Sequence, residues 1–250
     1  MDKLIVDIGD FAGGSGKYNS LKAEFLLKTM KALNYQAINI GERDLLLGID
    51  FLLEQQNSLN IPFISTNLRY KSTNQYFVKP FRKIDLFKSN NQLNIIILGI
   101  IDPIIFSESF KAHEKLYAEE PVIAIRSILA KYKKEYNFVV LLSHAGYNKS
   151  RKIATQIPEL DVIISGHDYS VRINPIIIGK TRLVQGRNKG QALNNLHVYI
   201  NKSAENSTTN TKGQYGHSKT LDNSFHEASE ILKIISQYLK QKNIQFFEKN

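Results

Sequence analysis

Apolar and polar positions alternate along this chain in two rhythms that take turns. A short β-rich run, "KLIVDIGD", ends at Gly9-Asp10 and leads into a glycine-rich loop. Leu21, Phe25, Leu26, Met30 and Leu33 then recur at helical spacing within "NSLKAEFLLKTMKALN", with Asn19 or Ser20 placed to cap the helix. "QAINIG" predicts a strand, "GIDFLLEQQNSLN" a helix, and "IPFISTNL" a strand ending near Asn67. "YFVKPFRKIDLF" and "LNIIILGIID" read as two strands, the second apolar on both faces. "PVIAIRSILAKYKKEYN" predicts a helix opened by Pro121. "FVVLLSH" is a strand, "KSRKIATQI" a short helix and "LDVIISGH" a strand. "INPIIIGKTRLVQG" and "LNNLHVYIN" predict closing β-hairpin material. Strands apolar on both faces, separated by helices, predict an α/β fold whose sheet is covered by helices on both faces.

The pattern also divides the chain. Residues 1–200 carry the alternation. Residues 201–222 are rich in Ser, Thr, Asn and Gly and predict a polar linker or loop. Residues 223–247 predict an amphipathic helix: Phe225, Ile231, Leu232, Ile235, Tyr238 and Leu239 share a face, and Ser224 with Glu227 forms a capping box.

Composition narrows the chemistry. The 250 residues are 42% hydrophobic and 22% charged, ordinary for a globular protein with a full core. No apolar run approaches the ~18 residues a membrane span needs. The first residues do not form an export signal, because acids break their apolar run. Cysteine is absent, which excludes disulfides, thiolate metal sites and a cysteine nucleophile. The net charge of +10, from 33 basic and 23 acidic residues, is scattered along helix faces and loops. It is not clustered with aromatics as a nucleic-acid surface requires, and it predicts a solvated surface that favours anionic small ligands.

Four predicted strands end in residues able to bind a metal: Asp10, Glu42, His144 and His167. Ligands of open α/β sheets bind beyond the carboxyl ends of the strands, so these four are expected to meet on one rim. His113, His197, His217 and His226 lie apart from the strand ends and read as surface or core residues. "GGSGKY" imitates a phosphate-binding loop, but Phe11 and Tyr18 stand where that motif needs Gly and Ser or Thr.

"IGDF", "NIGERDLLLG", "LLSHAG" and "DVIISGHDYS", in this order and spacing, resemble the second to fifth motifs of the calcineurin-like metallophosphoesterases. The likeness is greatest to the N-terminal catalytic domain of the 5'-nucleotidase / UDP-sugar hydrolase family and covers most of residues 3–200. It implies a four-layer α/β/β/α sandwich and a site where two divalent metals, bridged by the aspartate at Asp10, hold a phosphate ester. Glu42 falls at the family's asparagine, Arg43 at its histidine beside the leaving group, and His144 and His167 at metal-binding histidines. Tyr169 occupies a further histidine position, a degenerate ligand. Asn67 matches a position near the family's active site and also reads as a turn residue.

The family's first motif, Asp-x-His, has no counterpart in this sequence. The resemblance therefore implies either a sandwich lacking its first strand, with Leu4 to Asp7 as an open edge suited to self-association, or a sequence that begins downstream of the natural start. It also implies one surviving metal site of Asp10, Glu42, His144 and His167, suited to Zn, Mn or Fe at one per chain. Arg43 either clamps a phosphate or pairs with Glu42 or Asp44 at the surface. Two functions follow as alternatives: phosphoric ester hydrolysis of a phosphate ester or nucleotide, impaired or dependent on a further segment or partner, or an inactive metal-binding or assembly domain. Relatives of the resembled family are periplasmic, and this sequence leaves the compartment open.

Overall fold

The computed structural model describes residues 3–13, 18–88, 91–107, 110–168, 172–186, 192–197, 216–220 and 228–247. The first half runs β1 (Val6–Asp7), α1 (Asn19–Ala32), β2 (Ala37–Asn39), α2 (Glu42–Leu45), α3 (Ile49–Leu59), β3 (Phe63–Ile64) and β4 (Leu68–Tyr70). A long hairpin follows, β5 (Phe81–Lys88) and β6 (Asn91–Ile101), then α4 (Pro103–Phe106), α5 (Phe110–His113), β7 (Leu116–Ala118) and α6 (Pro121–Lys131). The second half continues through β8 (Phe138–His144), α7 (Gly146–Gln156), β9 (Val162–Ser165), β10 (Arg172–Ile178), β11 (Thr181–Gln185), β12 (Ala192–Leu196), β13 (Gly216–Thr220) and α8 (Ser229–Phe247).

Two sheets form the centre. The smaller has the parallel order β1-β2-β3, and the larger the order β10-β11-β9-β8-β6-β5. Three apolar clusters show how they are layered. Leu27 of α1 and Ile49 and Leu52 of α3 pack against Ile38 of β2 and Phe63 of β3. Ile125, Ile128 and Leu129 of α6 and Ile153 of α7 cover Leu98, Leu141 and Ile163 of the larger sheet. Between the sheets, Ala37 and Ile64 meet Ile97, Val140 and Leu142. The order of layers is therefore helix, sheet, sheet, helix, the expected four-layer sandwich. β8 is buried along its whole length because it lies between two apolar layers.

Several expectations need adjusting. The α1 helix begins after Tyr18 with no side-chain cap, so neither Asn19 nor Ser20 caps it. Leu33 is exposed beyond its end. "IPFISTNL" splits into β3 and β4, which join different sheets. Within the expected polar linker, Gly216–Thr220 pairs antiparallel with Ala192–Leu196. Residues 201–215 lie outside the described residues, as do Ser224 and Glu227. The final helix lies against α1, where Tyr238 meets Phe25 edge-on at 5.6 Å between ring centres.

Candidate metal centre

The carboxyl ends of four strands from both sheets converge. β1 runs into Asp10, β2 into Gly41-Glu42 at the start of α2, β8 ends in His144, and β9 runs into Gly166-His167. One donor atom from each of Asp10, Glu42, His144 and His167 lies within 4.8 Å of the others. His144 Nε2 is 2.8 Å from Glu42 Oε2 and 3.4 Å from Asp10 Oδ2. His167 Nδ1 is 3.5 Å from the same Glu42 oxygen. The two imidazoles meet edge to face at 5.2 Å.

The tautomer of His144 follows from its neighbours. Its Nδ1 lies 3.0 Å from the carbonyl oxygen of Ile8, which can only accept, so Nδ1 donates. Nε2 is thereby directed at the two carboxylates, the orientation a backbone partner imposes on metal-binding histidines. Burial opposes a charge on this ring, yet the hydrogen bonds and charges of Asp10 and Glu42 raise its pKa to about 10. Burial likewise opposes the Glu42 charge, but His144 and His167 hold its carboxyl well below the usual range. A metal held by these residues would compete with a proton for Nε2.

Two of these residues sit in unusual backbone. Five described residues other than glycine have positive φ; three are asparagines, and the others are Asp10 at 64° and His167 at 85°. Such strain persists only where the surroundings enforce it. At Asp10 the enforcer is Asp44, a fully buried carboxylate. It accepts the N–H groups of Asp10 at 2.7 Å, Ala12 at 3.1 Å and Gly41 at 2.9 Å. Burial and the nearby Asp10 charge push the Asp44 carboxyl up to about 8, against the pull of those three donors. Asp10 Oδ1 in turn accepts the N–H of Arg43 at 2.9 Å. A Cβ on Gly41 would stand 2.2 Å from this oxygen, so only glycine fits there.

At His167 the enforcer is Asp168. Its Oδ2 accepts the Tyr147 N–H at 2.7 Å, at the start of α7. Gln185 donates to the Asp168 carbonyl at 3.2 Å and to its carboxylate. Gly166 N–H donates to Ser143 O at 2.9 Å, joining the two histidine turns directly.

Of the other expected residues, Arg43 lies at the mouth, its side chain 46% exposed, with Nε 3.6 Å from both Asp10 Oδ2 and Glu42 Oε1. Its pairing with Glu42 is thus present. Asp44 instead points inward onto backbone donors. Asn67 is fully buried and not at a surface turn. Both its amide hydrogens are engaged, by Ile101 O at 2.7 Å and Glu119 O at 2.9 Å, and its oxygen accepts the Ile101 N–H at 3.1 Å. It clasps backbone and has no amide hydrogen left for a substrate. Tyr169 lies outside the described residues. Sequence reasoning missed Asp44 and Asp168. Asp44 had a local signal, an acid three residues after Gly41 at the start of a helix. Asp168 had none, since its partners are 17 and 21 residues away.

No family model matches the chain. It is 27% identical over 169 residues to the NAD 5'-nucleotidase of Haemophilus influenzae, spanning 66% of this chain and 27% of that protein. The solved sulfate thiohydrolase SoxB of Thermus thermophilus, in complex with glycerol, superposes with a TM-score of 0.81 at 19% identity, covering 95% of this chain and 42% of the other. The calcineurin-like phosphoesterase YfkN of Bacillus subtilis superposes at 0.79 with 18% identity, covering 95% and 83%. The fold is that of the calcineurin-like metallophosphoesterases. This metallophosphoesterase-fold chain spans about a quarter of the length of the curated nucleotidase it matches. Its donor set, two imidazoles and two carboxylates, fits a divalent transition metal. Among the described residues no helix is long and apolar enough to cross a membrane.

Proposed function

We propose that this metallophosphoesterase domain holds one divalent metal, Zn, Mn or Fe, through Asp10, Glu42, His144 and His167, and acts slowly on phosphate monoesters of the nucleotide class. The observation that carries this reading is the convergence of the four donors within 4.8 Å, with His144 Nε2 aimed at the carboxylates by the Ile8 carbonyl. A metal held there supplies Lewis acidity toward a phosphoryl oxygen. Arg43, exposed at the mouth, presents its guanidinium to the remaining phosphate oxygens. Two residue choices slow the reaction. Glu42 adds a negative charge beside an anionic substrate. A guanidinium at position 43 is a poorer general acid than an imidazole, so the leaving alkoxide takes its proton from solvent.

A second reading, a metal-binding domain without turnover, is favoured by one observation: Arg43 Nε is already shared between Asp10 and Glu42. The two readings separate in one experiment. Metal content of the purified chain is measured alongside p-nitrophenyl phosphate hydrolysis in Mn²⁺ and Zn²⁺, with His167→Ala as control. The expected result is about one metal per chain and slow turnover, both lost in the variant. Metal without any turnover selects the second reading. Absence of metal uptake, or two metals per chain, overturns both.

A further inference from the structure

We propose that Ser150 is a positioning residue that fixes the His144 and His167 turns relative to each other through a buried three-serine knot. Ser143, Ser150 and Ser165 are all fully buried. Ser150 Oγ donates to the carbonyl of Gly146 at 2.7 Å. Its single hydrogen is thereby committed, so Ser143, at 2.8 Å, and Ser165, at 2.9 Å, must donate to its two lone pairs. One hydroxyl from α7 thus meets its full bonding capacity between two strands.

The placement ties this knot to the metal centre. Ser143 and Ser165 are register partners in the parallel β8–β9 pair. Ser143 immediately precedes His144, and Ser165 stands two residues before His167. Because side chains alternate along a strand, Ser143 faces α7 while His144 faces the opposite side, toward Glu42 and Ile8. The backbone closes the loop: Gly166 N–H donates to Ser143 O, and Gly146 N–H donates to Gly166 O, each at 2.9 Å. The surrounding layer is apolar, with Leu141, Ile153, Ala154 and Ile163. Apolar contacts in such a layer tolerate small slips, whereas hydroxyl bonds are directional and fix the strand ends.

The inference rests on the metal reading above, and its test separates the two. The wild-type chain, Ser150→Ala and Ile153→Val are each titrated calorimetrically with Mn²⁺ and with Zn²⁺ alone. Ile153→Val loosens the same helix without touching the knot. Ser150→Ala is expected to weaken metal binding about tenfold, while Ile153→Val leaves it unchanged at a comparable loss of melting temperature. Wild-type affinity in Ser150→Ala, or an equal loss in both variants, overturns the proposal. If the wild-type chain takes up no metal, the proposed function fails, and hydrogen exchange decides the knot independently. The amides of Gly146 and Gly166 lose protection together in Ser150→Ala if Ser150 couples the turns, and keep it if it does not. Should Ser150→Ala not fold, Ser165→Ala removes one arm of the knot. It is expected to shift the same readouts in the same direction by a smaller amount, and no shift overturns the proposal.

Discussion

At the amino-terminal ends of β8, β9 and β11, polar groups close on one another. Asp161 accepts the Val139 N–H at 2.8 Å and the Lys180 ammonium at 2.9 Å. Thr181 donates to Leu160 O at 2.7 Å, and Asn137 Oδ1 accepts the Asn94 N–H at 2.9 Å. At the carboxyl ends of β1, β2, β8 and β9 the same kinds of residue are arranged differently. Two acids and two imidazoles face a shared point, and Asp10 and His167 hold backbone that other residues avoid. At the first end the buried Asp161 has its cation, Lys180, beside it. The second gathers donor atoms that could hold a cation. An ion pair that closes on itself fastens a fold, whereas convergent donor atoms held by strained backbone mark a candidate binding site.

The largest effect is expected where the strained end is anchored. Asp44→Ala leaves three N–H groups without their acceptor, costs about 3 kcal/mol in denaturant unfolding and removes metal binding with it. Unchanged metal binding in a folded Asp44→Ala chain would show that Asp10 does not need this anchor.

At the fastened end, Asp161→Ala is expected to cost about 2 kcal/mol and to leave metal affinity untouched. Its pH dependence has a definite sign. Burial, opposed by Lys180 and the Val139 N–H, raises the Asp161 carboxyl above its ordinary value of 3.8. The folded state therefore holds the proton longer than the unfolded chain. The contribution is full below pH 3.8 and is lost as pH rises through the folded value. Melting curves of wild type and Asp161→Asn are expected to draw together or cross in that direction, the wild type losing ground as pH rises. A wild type that gains on Asp161→Asn with rising pH contradicts this assignment.

His167→Gly sharpens the contrast from the other side. Glycine accepts φ of 85° without penalty, so the metal-free variant is expected to gain about 1 kcal/mol while losing metal. A loss of stability would mean that the imidazole supports the fold. Arg43→Ala is the mildest change, within about 0.5 kcal/mol in stability because the side chain is exposed. Any effect on p-nitrophenyl phosphate turnover is expected in KM, the signature of a substrate contact.

Much of this architecture was legible because it is periodic. The helices α1, α3 and α6 and the strands β8 and β9 lie within the predicted runs, whereas β6 begins two residues before "LNIIILGIID" and α7 three residues before "KSRKIATQI". The convergence of Asp10, Glu42, His144 and His167 was legible because strand ends carry ligands in sheets of this kind. What escaped lacks a local signature. Gly216–Thr220 forms a strand although its sequence, "GHSKT", has no apolar alternation, and its reason lies in pairing with Ala192–Leu196. Asn67 looks like a substrate contact until its partners, 34 and 52 residues away, are seen to be backbone. Asp44 and Asp168 act on N–H groups brought near by the fold, and Ser150 gains its place only when β8, β9 and α7 come together.

Gly41 supplies no side-chain donor, yet a side chain there would strike the site, meeting both the carboxylate and the backbone nitrogen of Asp10. A saturation screen scored by metal retention would rank this silent position beside the four candidate ligands. Sensitivity maps of this domain would thus overcount the candidate ligands, and the surplus would mark the wall that keeps them in place.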